Sequence, residues 1–235
     1  MKRFLSLAMI FLSIVSCSKN EKLMHLTGHV DGLKKGTLLL QRIEDTLLVS
    51  VDSVMVNGDS NFEFSKEIES PEIYYLYLRL KDGTLIDERI PFFAEPGEIS
   101  IKTSLKNLAV NARVEGSKNQ DALNDYKKLL NRYSSRELDQ IESSFNALRV
   151  GNDSLVDAIA KQRKSLATSK FLMTVNFAMN HKEYELAPYL MLSEIYNSNT
   201  KYLDTVYKAL TPKIKDSKYG KSLESFIKSN KTAKN

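Results

Sequence analysis

The chain holds a single cysteine, Cys17, and no CxxC pair. It also lacks a P-loop, a dinucleotide-binding glycine pattern and a glycine-x-serine-x-glycine elbow, so the signatures of phosphate cradles and serine hydrolases are absent. There is no internal repeat, no low-complexity tract and no Gly/Ser linker. The apolar stretch Phe4 to Val15, broken by Ser6 and Ser13, is too short to span a bilayer.

What surrounds Cys17 is informative. Lys2-Arg3 precedes that short apolar stretch, and Ile14-Val15-Ser16 stands directly before Cys17. A basic start, an apolar middle and a small residue before the cut make a secretory signal. The aliphatic residue three before the cysteine matches the bacterial lipobox, which implies diacylation of Cys17, cleavage before it and acylation of the new amino terminus. Three acyl chains exceed what stable anchoring requires, so the expected protein is membrane-tethered without crossing. Ser18 occupies the place where an aspartate would act as an inner-membrane retention signal, which favours the outer membrane. Once lipidated, Cys17 leaves no thiol for a disulfide, a nucleophile or a thiolate metal site.

The formal net charge is +5, and removal of residues 1–16 leaves about +3 over about 219 residues. Charges of both signs alternate throughout, which describes a solvated surface and not a nucleic-acid partner. Lysines crowd the C-terminus (Lys213, Lys215, Lys218, Lys221, Lys228, Lys231, Lys234) but are interspersed with Asp216 and Glu224.

The periodicity changes near Gly116. Up to Glu115 it is strand-like: Met24 to Val30, Thr37 to Ile43, Leu47 to Val56, Phe62 to Ile68, Ile73 to Leu80, Leu85 to Ala94, Ile99 with Ile101, and Ala109 to Val114. Asp31-Gly32, Asn57-Gly58, Asp82-Gly83 and Pro96-Gly97 punctuate these runs. From Ser117 the period is helical. Ser117 to Gln120 fits a capping box, with Gln120 expected to reach back to the cap. Helical segments follow over Leu123 to Tyr133, Glu137 to Leu148, Ser154 to Met179, Tyr189 to Tyr196 after Pro188, Tyr202 to Leu210 and Tyr219 to Ser229. The expected fold is α+β: an antiparallel β-sandwich or barrel over residues 23–115, with an all-helical domain over 116–230 docked on it. A signal peptide (1–16), a lipidated tether (17–22) and a disordered tail (231–235) complete the plan.

Few residues suggest chemistry. His25 and His29 lie four apart on a strand, a separation of roughly 13 Å, too far for one metal ion. His181 ends a helix, where an imidazole suits the dipole. Asp87 and Glu88 are adjacent and face opposite sides of a strand. Asp52-Ser53 reads as an exposed edge or a buried hydrogen bond. Tyr75 and Tyr77 share a strand face with Ile73, while Tyr74 points away; the pair is the candidate binding surface. No catalytic set, metal site or cofactor is implied.

The β region resembles a family, the domain of unknown function 4369 that precedes thioredoxin-like or alkyl hydroperoxide reductase-like domains in lipoproteins of Bacteroidota. The resemblance rests on Leu26-Thr27-Gly28-His29-Val30, Gly36 to Leu40, Val51-Asp52-Ser53, Asn57-Gly58, Phe62-Glu63-Phe64 and, most specifically, Phe92 to Ile99. Ala187-Pro188-Tyr189-Leu190 and Tyr207 to Gly220 are similar to the segment that follows in the same proteins. In those relatives a thioredoxin fold with CxxC comes next, and no such domain is expected in this chain. The resemblance thus implies a compartment without an activity. The resulting expectation is a non-enzymatic, lipid-anchored accessory or binding module of the cell envelope, with a separate thioredoxin-like protein as one partner. The alternatives are an envelope hydrolase or a small-ligand binder assembled only in three dimensions; an apolar groove rimmed by tyrosines would favour binding.

Overall fold

A computed structural model describes residues 22–83, 85–197 and 199–232; the side chains of residues 85–87 are not described. The signal segment, Cys17 with its tether up to residue 21, and residues 233–235 lie outside the described residues.

Eight strands form two four-stranded sheets: β1 (Leu23–Asp31), β2 (Lys35–Glu44), β3 (Leu47–Asn57), β4 (Asn61–Glu67), β5 (Glu72–Leu80), β6 (Leu85–Ala94), β7 (Gly97–Ser104) and β8 (Arg113–Glu115). One sheet has the order β4-β1-β7-β8 and the other β3-β2-β5-β6. Alternation puts Leu26, Phe64, Ile99 and Ile101 of the first sheet against Leu38, Leu40, Leu76 and Phe92 of the second, in one buried core. The sandwich is therefore as the alternating pattern implies. One pair departs from it: β1 and β7 run parallel, Leu26 beside Ile99. Period-two alternation is the same in either direction, so the sequence carries no sign of this. The other correction is at β8, which keeps only Arg113–Glu115, while residues 109–111 of the expected strand are turn.

Gly28 shows how tightly this core is drawn. A Cβ there would stand 2.2 Å from the Phe62 ring and 2.4 Å from the carbonyl oxygen of Ile101. A bare backbone at Gly28 lets the Phe62 ring cross β1.

Six helices follow: α1 (Lys118–Arg149), α2 (Asp153–Asn180), α3 (Leu186–Ser193), α4 (Thr200–Ala209), α5 (Pro212–Asp216) and α6 (Lys218–Thr232). The two segments expected over 123–133 and 137–148 are one helix. Ser134-Ser135 between them lowers propensity but supplies neither a proline nor a glycine to end it. Asn152 caps α2 by accepting from the Leu155 amide at 3.1 Å. Pro188 is the third residue of α3, where its missing N–H would have had no intrahelical partner. The short α5 begins with Pro212, and α6 continues to Thr232. Helices α2 to α6 share a core of Val175, Ala178, Met191, Leu203, Val206 and Leu223.

A third buried cluster joins the two halves. Ile73 and Phe93, on the outer face of the second sheet, pack against Leu123, Tyr126, Phe177 and Leu190. β5 is thus covered on both faces, which explains its nearly unbroken apolar sequence.

Gly116 sits at the crossing between the halves with φ at +99°, and a Cβ there would lie 2.0 Å from the Glu98 carbonyl oxygen. Backbone strain and a backbone clash coincide, so Gly116→Ala should cost about 2–4 kcal/mol in denaturant unfolding. A loss below about 0.5 kcal/mol would contradict the close approach.

Candidate functional site: a tyrosine-walled groove between sheet and helices

The junction is built by polar side chains that finish the edges of secondary structure. In the second sheet β6 is an edge strand, and Phe93 faces Ile73 on β5. Their amides point away from each other. Phe93 N–H donates to Gln120 Oε1 at 2.9 Å, and Ile73 N–H donates to the Tyr219 hydroxyl at 3.0 Å. The capping box is thereby only half realised. Ser117 Oγ does accept from the Gln120 amide at 3.0 Å, but the Gln120 side chain holds the sheet instead of reaching back. An unpaired strand-edge amide beside an apolar cluster is the costlier group to leave unmet.

Asn119, 2% exposed, is the hub. Its Nδ2 donates to Glu95 Oε2 at 2.7 Å and to Glu185 Oε2 at 2.9 Å, and its Oδ1 accepts from the Leu186 amide at 2.9 Å. Glu95 also accepts from the Lys118 amide at 2.7 Å. Helix α3 has no side-chain cap of its own, so Asn119 satisfies one of its first-turn donors from another helix.

Beside this hub lies a groove of about 440 Å³ walled by Tyr75, Tyr189 and Tyr219, with Ile43 and Leu192 at its apolar rim. Tyr189 and Tyr219 approach at 5.2 Å between ring centroids, and both meet the Phe93 ring edge-on. Glu72, buried, forms ion pairs with Lys218 and, at 3.7 Å, with Arg42. The Lys218 amide donates to Ser70 Oγ at 3.0 Å. Strand β5, helix α3 and helix α6 each supply one tyrosine.

The proposed pair of tyrosines is divided by this arrangement. Tyr75 is in the groove, partly buried. Tyr77 shares its face but is 6% exposed, covered by the Arg89 guanidinium at 4.4 Å from its ring. Arg89 also donates to Gln41 Oε1 at 3.4 Å, and Gln41 donates to Ser50 Oγ at 3.0 Å. Tyr74 points into the sandwich core beside Phe92, as the alternation requires. Sequence reasoning missed Tyr189, Tyr219 and Lys218 as site residues because they come from segments distant from Tyr75, and Glu72, on the same strand as Tyr75, because it carries no local motif.

The other singled-out residues have local partners. His25 and His29 bond separately to Ser65 Oγ (3.1 Å) and Asn61 Oδ1 (2.9 Å) on β4. His181 ends α2 with Nδ1 2.8 Å from the Phe177 carbonyl oxygen, its ring stacked on Phe177. Asp52 and Ser53 lie on the edge strand β3, where Asp52 Oδ1 accepts from the Ser53 amide at 2.7 Å. Glu88 accepts from the Ala109 amide at 2.8 Å. Lys228 and Lys231 pair with Glu224 (2.7 Å) and Asp204 (3.1 Å). Among the described residues no helix is long and apolar enough to cross a membrane.

With this geometry in view, the comparison with known families is specific about one part of the chain. Residues 24–123 match the family described as a domain of unknown function (DUF4369). The matched stretch runs past the last strand and ends at Leu123, so it takes in Ser117, Asn119 and Gln120, the residues that fasten the helices to the sheet. No curated protein matches the chain.

Burial raises the ionisation of the groove tyrosines above the usual phenol range. It does so at Tyr75 against the lowering effect of Arg89, at Tyr189 with a further push from Tyr75, and at Tyr219 against its bond from Ile73. Tyr126 at the same junction is pushed up to about 12 by burial, despite its bond to Thr174. The folded state resists losing these protons more than the unfolded state does. Stability should therefore be full below the ordinary value of 10.0 and fall as pH rises through about 12. Tyrosinate absorbance during alkaline titration should lag behind that of exposed phenols and appear together with unfolding. Full ionisation in one step near pH 10 without unfolding would contradict the burial.

Proposed function

We propose that the chain is a lipid-anchored binding module of the cell envelope, and that it acts by holding a protein or peptide partner and not by catalysis. The observation that carries this reading is the tyrosine-walled groove at the sheet–helix junction. Tyrosine offers a wide apolar face with a hydroxyl at its rim, and it is enriched where partners are held. With the phenols kept neutral, each hydroxyl remains a donor and the walls remain uncharged. Glu72 is occupied by Lys218 and Arg42. An extended peptide with an aromatic or branched aliphatic side chain is the occupant this chemistry suits.

The lipobox around Cys17 supports the anchor, and Ser18 after it supports the outer membrane. A separately encoded thioredoxin-like protein is the first candidate partner, because the β region resembles domains that precede such a fold. No cofactor is invoked.

Two measurements test this reading. Palmitate labelling should be lost in Cys17→Ala; a label that persists would remove the anchor. Photo-crosslinking in isolated envelopes, from a probe in the groove, should capture a discrete envelope protein, and Tyr75→Ala should reduce that capture about tenfold or more. Capture indifferent to Tyr75, or a small metabolite as the only bound species, would overturn the protein-binding reading.

A further inference from the structure

Helices α1 and α2 form a hairpin whose far half is nearly coreless. Beyond Tyr126 on α1 and before Thr174 on α2, the buried residues among those described are Ala147 and Ile159 alone. Two helices with so little between them gain little from packing. Yet the same stretch carries large apolar side chains turned to water. Phe145 is 68% exposed, Leu138 66% and Leu148 55%; Val150 and Leu155 at the tip are exposed as well.

Their spacing is orderly. Leu138, Ile141, Phe145 and Leu148 stand at steps of three, four and three, the seam spacing of a helix that packs lengthwise on another helix. Glu142 and Arg149 flank the seam, and among the described residues neither forms an ion pair. We propose that this seam is a self-association surface: two copies of the chain overlap their hairpin ends antiparallel, about a two-fold axis, in a short four-helix bundle.

The observations favour a second copy over other occupants. In an antiparallel overlap that sets Phe145 against the second copy's Leu148, Ile141 comes level with the second copy's tip, where Val150 ends the helix. The same overlap brings Glu142 opposite the second copy's Arg149, and the symmetry forms that pair twice. Burying Phe145, Leu148, Val150 and Ile141 of both copies, together with the Glu142 and Arg149 rim, removes on the order of 1,000 Å² from water, the lower bound for a specific interface. A phospholipid surface suits the hairpin end poorly, because Asp139, Glu142, Asp153 and Asp157 stand among its apolar residues.

Sedimentation equilibrium of the full chain in density-matched detergent tests this. The expected result is a reversible monomer–dimer equilibrium. Phe145→Glu with Leu148→Glu should weaken it about a hundredfold or more. Glu142→Arg and Arg149→Glu should each weaken it about fivefold, and the two together should restore it. All four residues lie outside the buried core, so circular dichroism and thermal unfolding of the monomer should not change. A monomeric mass at every concentration, a dimer indifferent to these charges, or vesicle binding by the tip that depends on Phe145 would overturn the proposal.

Discussion

Two polar side chains in the first turn of α1 hold the molecule together. Gln120 answers an edge-strand amide on β6 that the sheet leaves unpaired, and Asn119 holds the Glu95 carboxylate of the β half and a first-turn amide of α3 at once. A helical layer can cover the outer face of a sheet only if the backbone edges enclosed with it find partners. Leaving one such group unmet costs about 1–3 kcal/mol, comparable with the burial of a whole aliphatic side chain. Once these bonds form, Ile73, Phe93, Leu123 and Leu190 are brought into one cluster. The groove at Tyr75 then follows from geometry, since its walls come from β5 on one side and from α3 and α6 on the other. The DUF4369 match ending at Leu123 marks the same boundary: that stretch includes the fastening as well as the strands.

Much of the fold was legible in the sequence because the core imposes a period. Alternation located β1 to β7 and put Tyr74 on the opposite face from Tyr75. The Asp31-Gly32, Asn57-Gly58 and Pro96-Gly97 turns separated the strands. Helical spacing located α1 to α4 and α6, and Ser117 was a recognisable cap. What alternation cannot encode is direction, so the parallel β1–β7 pair was invisible. Nor does it register a strand of three residues: the apolar run before β8 is a turn held by Asn111 bonds to Ser104 and Lys106. The segments over Leu123 to Tyr133 and Glu137 to Leu148 are one helix, since Ser134 and Ser135 between them lower helix propensity by far less than proline or glycine would.

The site was legible only where one strand determines it. Tyr75 was readable from its face. Tyr77 was equally so, but a guanidinium over its ring cannot be inferred from spacing. Tyr189 and Tyr219 join Tyr75 from helices more than a hundred positions away, and Lys218 reaches Glu72 over a similar separation. Such meetings depend on how the layers dock, and docking depends on Asn119 and Gln120. Gln120 illustrates the limit well. Its role as a cap residue was readable, while its actual acceptor duty belongs to a strand of the other half.

On this account the two halves are one cooperative unit joined by satisfied backbone edges. Native-state hydrogen exchange at the Phe93 and Leu186 amides tests that most directly. Both should exchange only through global opening, with protection equal to that of the inner β5 amides. Exchange at these two amides far faster than in β5, in a chain whose strands remain protected, would contradict it.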